Sequence, residues 1–158
     1  MSFTIESNME GILVNLAKAI QLTDDSMEEI LFDAGSDAVV IVAHRVQQSG
    51  LAASGNRLQT KASLRMGAYS AAHAKRRAER GRQIAYKDLT MDGTLMKDWQ
   101  VLTTGPTEVG IGFSDPKQSV IADGLEEYQG GVIFGLSDQE QDKVALGIMD
   151  SIEDRLRQ

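Results

Sequence analysis

The chain contains no cysteine in 158 residues. That absence excludes disulfides, thiolate zinc sites, iron–sulfur clusters and cysteine nucleophiles, and it removes the usual pointer to redox compartment. Proline occurs twice and aromatic residues make up 5% of the chain, so the core has to be mostly aliphatic, drawn from an apolar content of 42%. No apolar run approaches the roughly 20 residues needed to span a bilayer. Residues 1–10 carry Glu6 and Glu10 but no base, unlike a secretory leader. The expectation is a soluble, acidic, intracellularly made globular protein with no membrane partner. Excess positive charge is missing too: 16 basic residues face 23 acidic ones, a net charge of −7. Such a balance argues against non-specific nucleic-acid binding by the whole surface. The length suits one domain.

What charge there is lies unevenly. Residues 75–87 hold Lys75, Arg76, Arg77, Arg80, Arg82 and Lys87 against Glu79 alone, so this stretch is +5 and the remainder is −12. Residues 1–36 hold seven acids and one base, Lys18. An acidic head, a basic middle and an acidic tail favour either head-to-tail contact between copies or an acidic partner for the basic segment. Charge alone supports a solvated helix face equally well.

Hydrophobic periodicity supplies the layout. Met9, Ile12, Leu13, Leu16 and Ile20 recur at helical spacing over residues 8–21. Residues 23–25 break that pattern and cap a second helix over about 26–48, with Ile30, Leu31, Ala34, Ala38, Ile41, Val42 and Val46 as its buried stripe. Residues 49–69 lose all periodicity and carry glycine and serine signals, the pattern of a flexible loop ordered by a partner. Ser70 caps a short helix stopped by Gly81. Residues 99–104 and 109–113 alternate around Gly105-Pro106, which predicts a β-hairpin. Ser114-Asp115-Pro116 starts a helix that Gly130-Gly131 ends, and Ser137-Asp138-Gln139-Glu140 is a capping box for a last helix striped by Val144, Ile148, Ile152 and Leu156. The predicted class is α+β: N-terminal helices over 1–48, a loop over 49–69, and an α+β core over 70–158, packed as one domain.

Catalytic patterns are weak. His44 and His73 fall on different predicted helices, neither beside a metal-spaced cluster. Asp24, Asp25, Glu28 and Glu29 suit the positive end of a helix dipole, and Glu126-Glu127 suits a solvated helix face. Gly110-Ile111-Gly112 lacks the third glycine of the dinucleotide motif. No Gly-x-Ser-x-Gly or Walker pattern occurs. The expectation is a non-enzyme with no cofactor and no metal.

From Tyr69 onward a string of residues stands out: Tyr69-Ser70, His73, Arg76, Gly81-Arg82, Asp88-Leu89-Thr90, Gly93 and Met96. It resembles the central signature of the tail-completion, or virion morphogenesis, proteins of tailed bacteriophages. Residues 108–113 resemble that family's second strand. Residues 121–130, with Ile133-Phe134-Gly135-Leu136-Ser137, resemble its ending. The likeness covers about residues 65–158. It departs at His73, where the family more often has an aromatic, and before Tyr69, where a family insert is missing. The resemblance implies a structural protein of the virion neck or tail. It implies a protein made in the host cytoplasm and located in the virion, working as a homo-oligomer, with a hexameric ring as one form, around the DNA channel and docking on other neck and tail proteins. On that reading Lys75, Arg76, Arg77, Arg80, Arg82, Lys87 and Trp99 are the candidates for subunit interfaces or for facing packaged DNA in the lumen. For Trp99 the favoured reading is a core residue, because it is the one Trp of the chain and sits at the start of a strand. The alternatives are a small nucleic-acid-binding module using residues 73–87 and, more distantly, a regulatory protein whose acidic head is a partner helix.

Overall fold

A computed structural model of the chain describes residues 24–62 and 68–157. The amphipathic segment 8–21 and residues 63–67 lie outside the described residues. The elements run in order as α1 (Asp24–His44), α2 (Ala71–Glu79), α3 (Thr94–Asp98), β1 (Trp99–Thr104), β2 (Val109–Phe113), α4 (Pro116–Gln129) and α5 (Asp138–Arg157). The class is α+β: helices flank a two-stranded antiparallel sheet.

Helix α1 forms where the apolar period demanded it. It buries Ile30, Ala34, Gly35, Ala38 and Val42, and the β-branched run 39–42 stays helical because its flanks do. The helix does not continue to residue 48 as expected. Residues 45–49 widen into a π turn that ends at left-handed Gly50. The widening places Val46 in the core and swings the Arg45 side chain toward residues 133–140.

The hairpin lies on α1. Trp99 pairs with Phe113, Val101 with Ile111 and Thr104 with Val109, and a bulge falls between Val101 and Thr103. Gly35 marks the contact: a Cβ placed there would sit 2.6 Å from Val109 Cγ2 and 3.2 Å from Val101 Cγ2. Val42, Val46, Ala52, Leu58, Met96, Trp99 and Ile133 close the core, with Phe113, Phe134 and Leu136 packed around them. Two of these, Ala52 and Leu58, belong to the stretch expected to order on a partner. Over residues 50–62 it orders against its own chain instead. Leu51 bridges to Arg57. The Leu58 N–H donates to the Gly50 carbonyl at 2.8 Å and the Ala53 N–H to the Val132 carbonyl at 2.9 Å. The side-chain amide of Gln129 accepts from the Gln59 N–H and donates to the Arg57 carbonyl. A burial-driven strap therefore replaces regular secondary structure there.

Two arginines clamp α5 to α1. Arg45 pairs with Glu140, and its second nitrogen donates to the carbonyls of Ile133 at 2.7 Å and Gly135 at 2.8 Å. Arg155 pairs with Glu29 at the other end, so the two helices run antiparallel. The predicted capping box is present: Glu140 accepts from the Ser137 N–H at 2.8 Å, and Ser137 Oγ accepts from the Glu140 N–H.

Gly35 tests the seating of the sheet. Gly35→Ala gains about 1 kcal/mol of helix propensity yet collides with a stiff valine, so a net loss of about 1–3 kcal/mol is expected. Urea unfolding should show that loss, and the Gly35→Ala/Val109→Ala pair should recover most of it.

Candidate functional site: the basic segment and its buried anchor

The basic segment is not a uniform cationic face. Arg77 is 1% exposed and points inward. Its Nη2 donates to Asp88 Oδ2 at 2.6 Å and its Nε to the Gln83 carbonyl at 2.9 Å. Its guanidinium lies over the Tyr69 ring, 4.7 Å from the centroid. The helical register of α2 explains this. Position 77 is the buried one of its nine residues, and Lys75, Arg76 and Arg80 turn outward. The Arg77 candidacy as an interface or channel cation is therefore corrected: it is a core ion-pair partner.

Asp88, the acid of this pair, is 4% exposed. Its Oδ2 also accepts from Gln83 Nε2 at 2.7 Å, its Oδ1 accepts from the Thr90 N–H at 3.1 Å, and its own N–H donates to the Tyr69 hydroxyl. Burial pushes this carboxyl up, but the hydrogen bonds from Gln83 and Thr90 and the Arg77 charge together outweigh burial and hold it below the ordinary carboxylate range. Burial and the Asp88 charge raise the Tyr69 phenol. Gln83 completes the unit: its amide oxygen accepts from the N–H groups of Ala85 and Tyr86, and its nitrogen donates to the Tyr86 carbonyl. The loop after α2 thus has its polar groups satisfied by side chains rather than by a ladder. Immediately after Asp88, Leu89 adopts φ +56°, a left-handed conformation that turns its side chain onto the core.

Lys87 is also drawn inward. Its Nζ donates to the Gln59 carbonyl at 2.9 Å and lies 5.7 Å from the Tyr128 ring centre, and burial lowers its pKa. It holds the strap rather than presenting a free charge. Trp99 is 7% exposed and belongs to the core, with the Phe113 and Phe134 rings 5.2 and 5.7 Å away. Its place as an interface candidate is corrected accordingly. Its indole Nε1 is buried with no hydrogen-bond partner among the described residues. Lys75, Arg76 and Arg80 remain exposed, with Arg82 half-buried beside them.

Beside this anchor lies a hollow of about 390 Å³ lined by Thr60, Lys61, Ala62, Tyr69, Ser70, His73, Lys87 and Tyr128. His73 stacks on Tyr69 at 5.0 Å. Asp88 has both oxygens engaged within the chain, so it positions the loop and has no oxygen turned toward a reactant. Among the described residues no group of three or more His, Asp or Glu is placed to hold a metal ion. Sequence reading missed Gln83, whose role depends on a loop conformation that no spacing rule encodes. It also missed Arg45 and Glu140 as a pair, because they are 95 residues apart.

Breaking the anchor should be costly and specific. Arg77→Met leaves Asp88 buried without its counter-charge, and about 3–5 kcal/mol of stability should be lost in urea unfolding. Arg76→Met and Arg80→Met should each shift stability by less than about 0.5 kcal/mol. The folded-state pKa of Asp88 is lowered, so its contribution is fully present above the ordinary carboxylate pKa of about 4 and is lost as pH falls through the depressed value. Asp88→Asn should remove that component, giving a shallower fall in stability on acidification than the wild-type chain.

No family model, curated protein or solved structure matches this chain.

Proposed function

We propose that this chain is a structural protein of a tailed-phage virion. It acts at the head–tail interface, in the neck, tail-completion or tail-terminator layer, as a homo-oligomer around the DNA channel. One observation carries the reading. Several of the residues that bear the resemblance, Tyr69, Gly81, Asp88, Leu89, Gly93 and Met96, have interlocking structural jobs. Tyr69 supports Arg77 and accepts from the Asp88 N–H. Gly81 and Gly93 take left-handed turns at φ +66° and +84°, which L side chains resist. Asp88 anchors the loop, Leu89 turns onto the core, and Met96 is buried in it. A string with such interdependence is a scaffold signature. It stabilises an exposed basic edge built from Lys75, Arg76 and Arg80. Because Arg77 and Lys87 turn inward, that edge is weaker than the +5 of the sequence suggests, which suits a path along which DNA slides without being held.

The same exposed cations favour a second reading, a small nucleic-acid-binding module. The two separate by salt response. Four cations of this segment, Lys75, Arg76, Arg80 and Arg82, can reach phosphates, so duplex binding through this edge should show a log–log salt slope no steeper than about −3.6 and an affinity in the non-specific range, about 10⁻⁴–10⁻⁶ M. Sub-micromolar duplex binding with a steeper slope would favour the module. For the virion role, a phage whose copy of this chain is interrupted should yield filled heads and unjoined tails in electron micrographs, with joining restored by the chain in trans. Normal infectious particles lacking the chain would overturn the proposal.

A further inference from the structure

The C-terminal helix is under-buried. Across the 20 residues of α5, none is fully buried. Its core-facing stripe of Val144, Ile148, Ile152 and Leu156 is half-buried, while Leu146 and Met149 on the outer side are 59% and 58% exposed. Helices in water owe most of their stability to tertiary packing, and this one is left with a second apolar stripe facing solvent. That stripe is flanked at helical spacing by Asp142 one turn before Leu146 and by Asp150 and Glu153 one turn after Leu146 and Met149; the exposed Lys143 also lies one turn before Leu146, and Glu153 pairs with Arg157 at 3.1 Å, so Asp142 and Asp150 mainly set the sign of the rim. The framing belongs to a larger field. Together α1 and α5 carry twelve acids against three bases, a net −9, and so hold most of the negative charge of the chain. Elsewhere on the chain, Lys75, Arg76 and Arg80 are exposed on and just after α2, with Ile84 exposed at 47% two residues beyond Arg82.

We infer that the acidic-rimmed stripe on α5 (Asp142, Leu146, Met149, Asp150, Glu153) is the docking site for the exposed basic edge after Ser70 (Lys75, Arg76, Arg80, with Ile84) of a second copy of this chain. The inference rests on the oligomeric reading above and deepens it by naming the contact. Charge complementarity selects this occupant. Each patch is the opposite in sign to the other, each carries exposed apolar side chains beside its charges, and they sit on different elements. Such a contact is heterologous: every copy offers one patch forward and one backward, and the chain of contacts closes into a ring when the rotation per copy allows. Packaged DNA is a poor occupant for the α5 stripe because both carry negative charge. Because the pairing is between rim charges around a small apolar centre, it should form quickly and weaken with salt.

Sedimentation velocity of the full chain tests this directly. The wild-type chain should associate at about 50 mM salt and dissociate toward monomer at about 500 mM, where screening is severe. Arg76→Glu/Arg80→Glu and, separately, Asp142→Arg/Asp150→Arg should each weaken association by at least about tenfold while keeping the wild-type circular dichroism spectrum. All four positions are exposed, so folding is spared. An equimolar mixture of the two variants should regain association, since the reversed edge of one meets the reversed stripe of the other. Folded variants that associate as well as the wild-type chain would overturn the inference while leaving an oligomeric virion protein in place. A mixture that fails to recover would also overturn it, as would variants that keep self-association but block particle assembly, which would assign the stripe to another virion protein. A wild-type chain monomeric at low salt overturns the contact as well. The virion role then stands or falls separately on the interrupted-phage particles.

Discussion

A guanidinium and a carboxylate removed from water at Arg77 and Asp88 set the terms for the middle third of this chain. Two buried ions are expensive, and their attraction offsets the desolvation only when the remaining donors and acceptors are satisfied. Here Gln83, Thr90, Tyr69 and the Gln83 carbonyl do that. The consequence is conformational. Residues 80–90 have no regular secondary structure, and yet their path is determined, because moving any one of these groups strands a buried charge. Leu89 shows the determination most plainly. A leucine at φ +56° costs about 1–3 kcal/mol and persists only because Asp88 on one side and the core on the other fix it.

The same device recurs at Arg45. Its Nε reaches the Leu51 carbonyl, one terminal nitrogen reaches two carbonyls of the 133–135 connector, and the other pairs with Glu140. Glu126 complements it from the opposite side, accepting from the N–H groups of Ile133 at 2.7 Å and Phe134 at 2.9 Å. The connector between α4 and α5 has few backbone partners of its own, so side chains of both signs carry its hydrogen bonds. With 5% aromatics and a small core, the chain relies on arginine and carboxylate anchors to place its loops.

How much of this was legible follows from which interactions are local. The boundaries of the hairpin, the proline start of α4, the Ser137–Glu140 box and the stop at Gly81 depend on residues within one turn of each other, and sequence patterns located them. The strap over 50–62 was illegible because its order comes from Gln129 and Val132, about 70–80 residues away, and from burying two residues without periodicity. The cationic candidates divided for a related reason. Composition counts charges, whereas the register of a nine-residue helix decides which one points inward. Arg77 differs from Arg76 by one position and by the whole depth of the protein surface. Trp99 had two readings in sequence, and the aromatic triad with Phe113 and Phe134 separates them, because those partners come from β2 and from the α4–α5 connector.

The inward turn of Arg77 and Lys87 also changes what net charge means here. Burying Arg77 together with Asp88 removes one charge of each sign and leaves the net at −7, while Lys87 is tied to the strap and the acids of α1 and α5 stay mostly in solvent, so the surface keeps its acidic balance with fewer free cations in the basic segment. A surface of one dominant sign repels its own copies unless the minority sign is gathered at one place, because scattered cations would be screened by their acidic neighbours within a Debye length of about 8–10 Å. Lys75, Arg76 and Arg80 lie together on one short edge held from beneath by the buried pair, and under the proposed self-contact that edge would supply the direction. Rigidity matters because it lowers the entropy lost on docking. Buried Arg77 and exposed Lys75 and Arg76 are thus alternate positions of one amphipathic helix, with Arg80 at its C-terminal cap: the ion pair from Arg77 to Asp88 in the following loop is what orients the cations that remain outside.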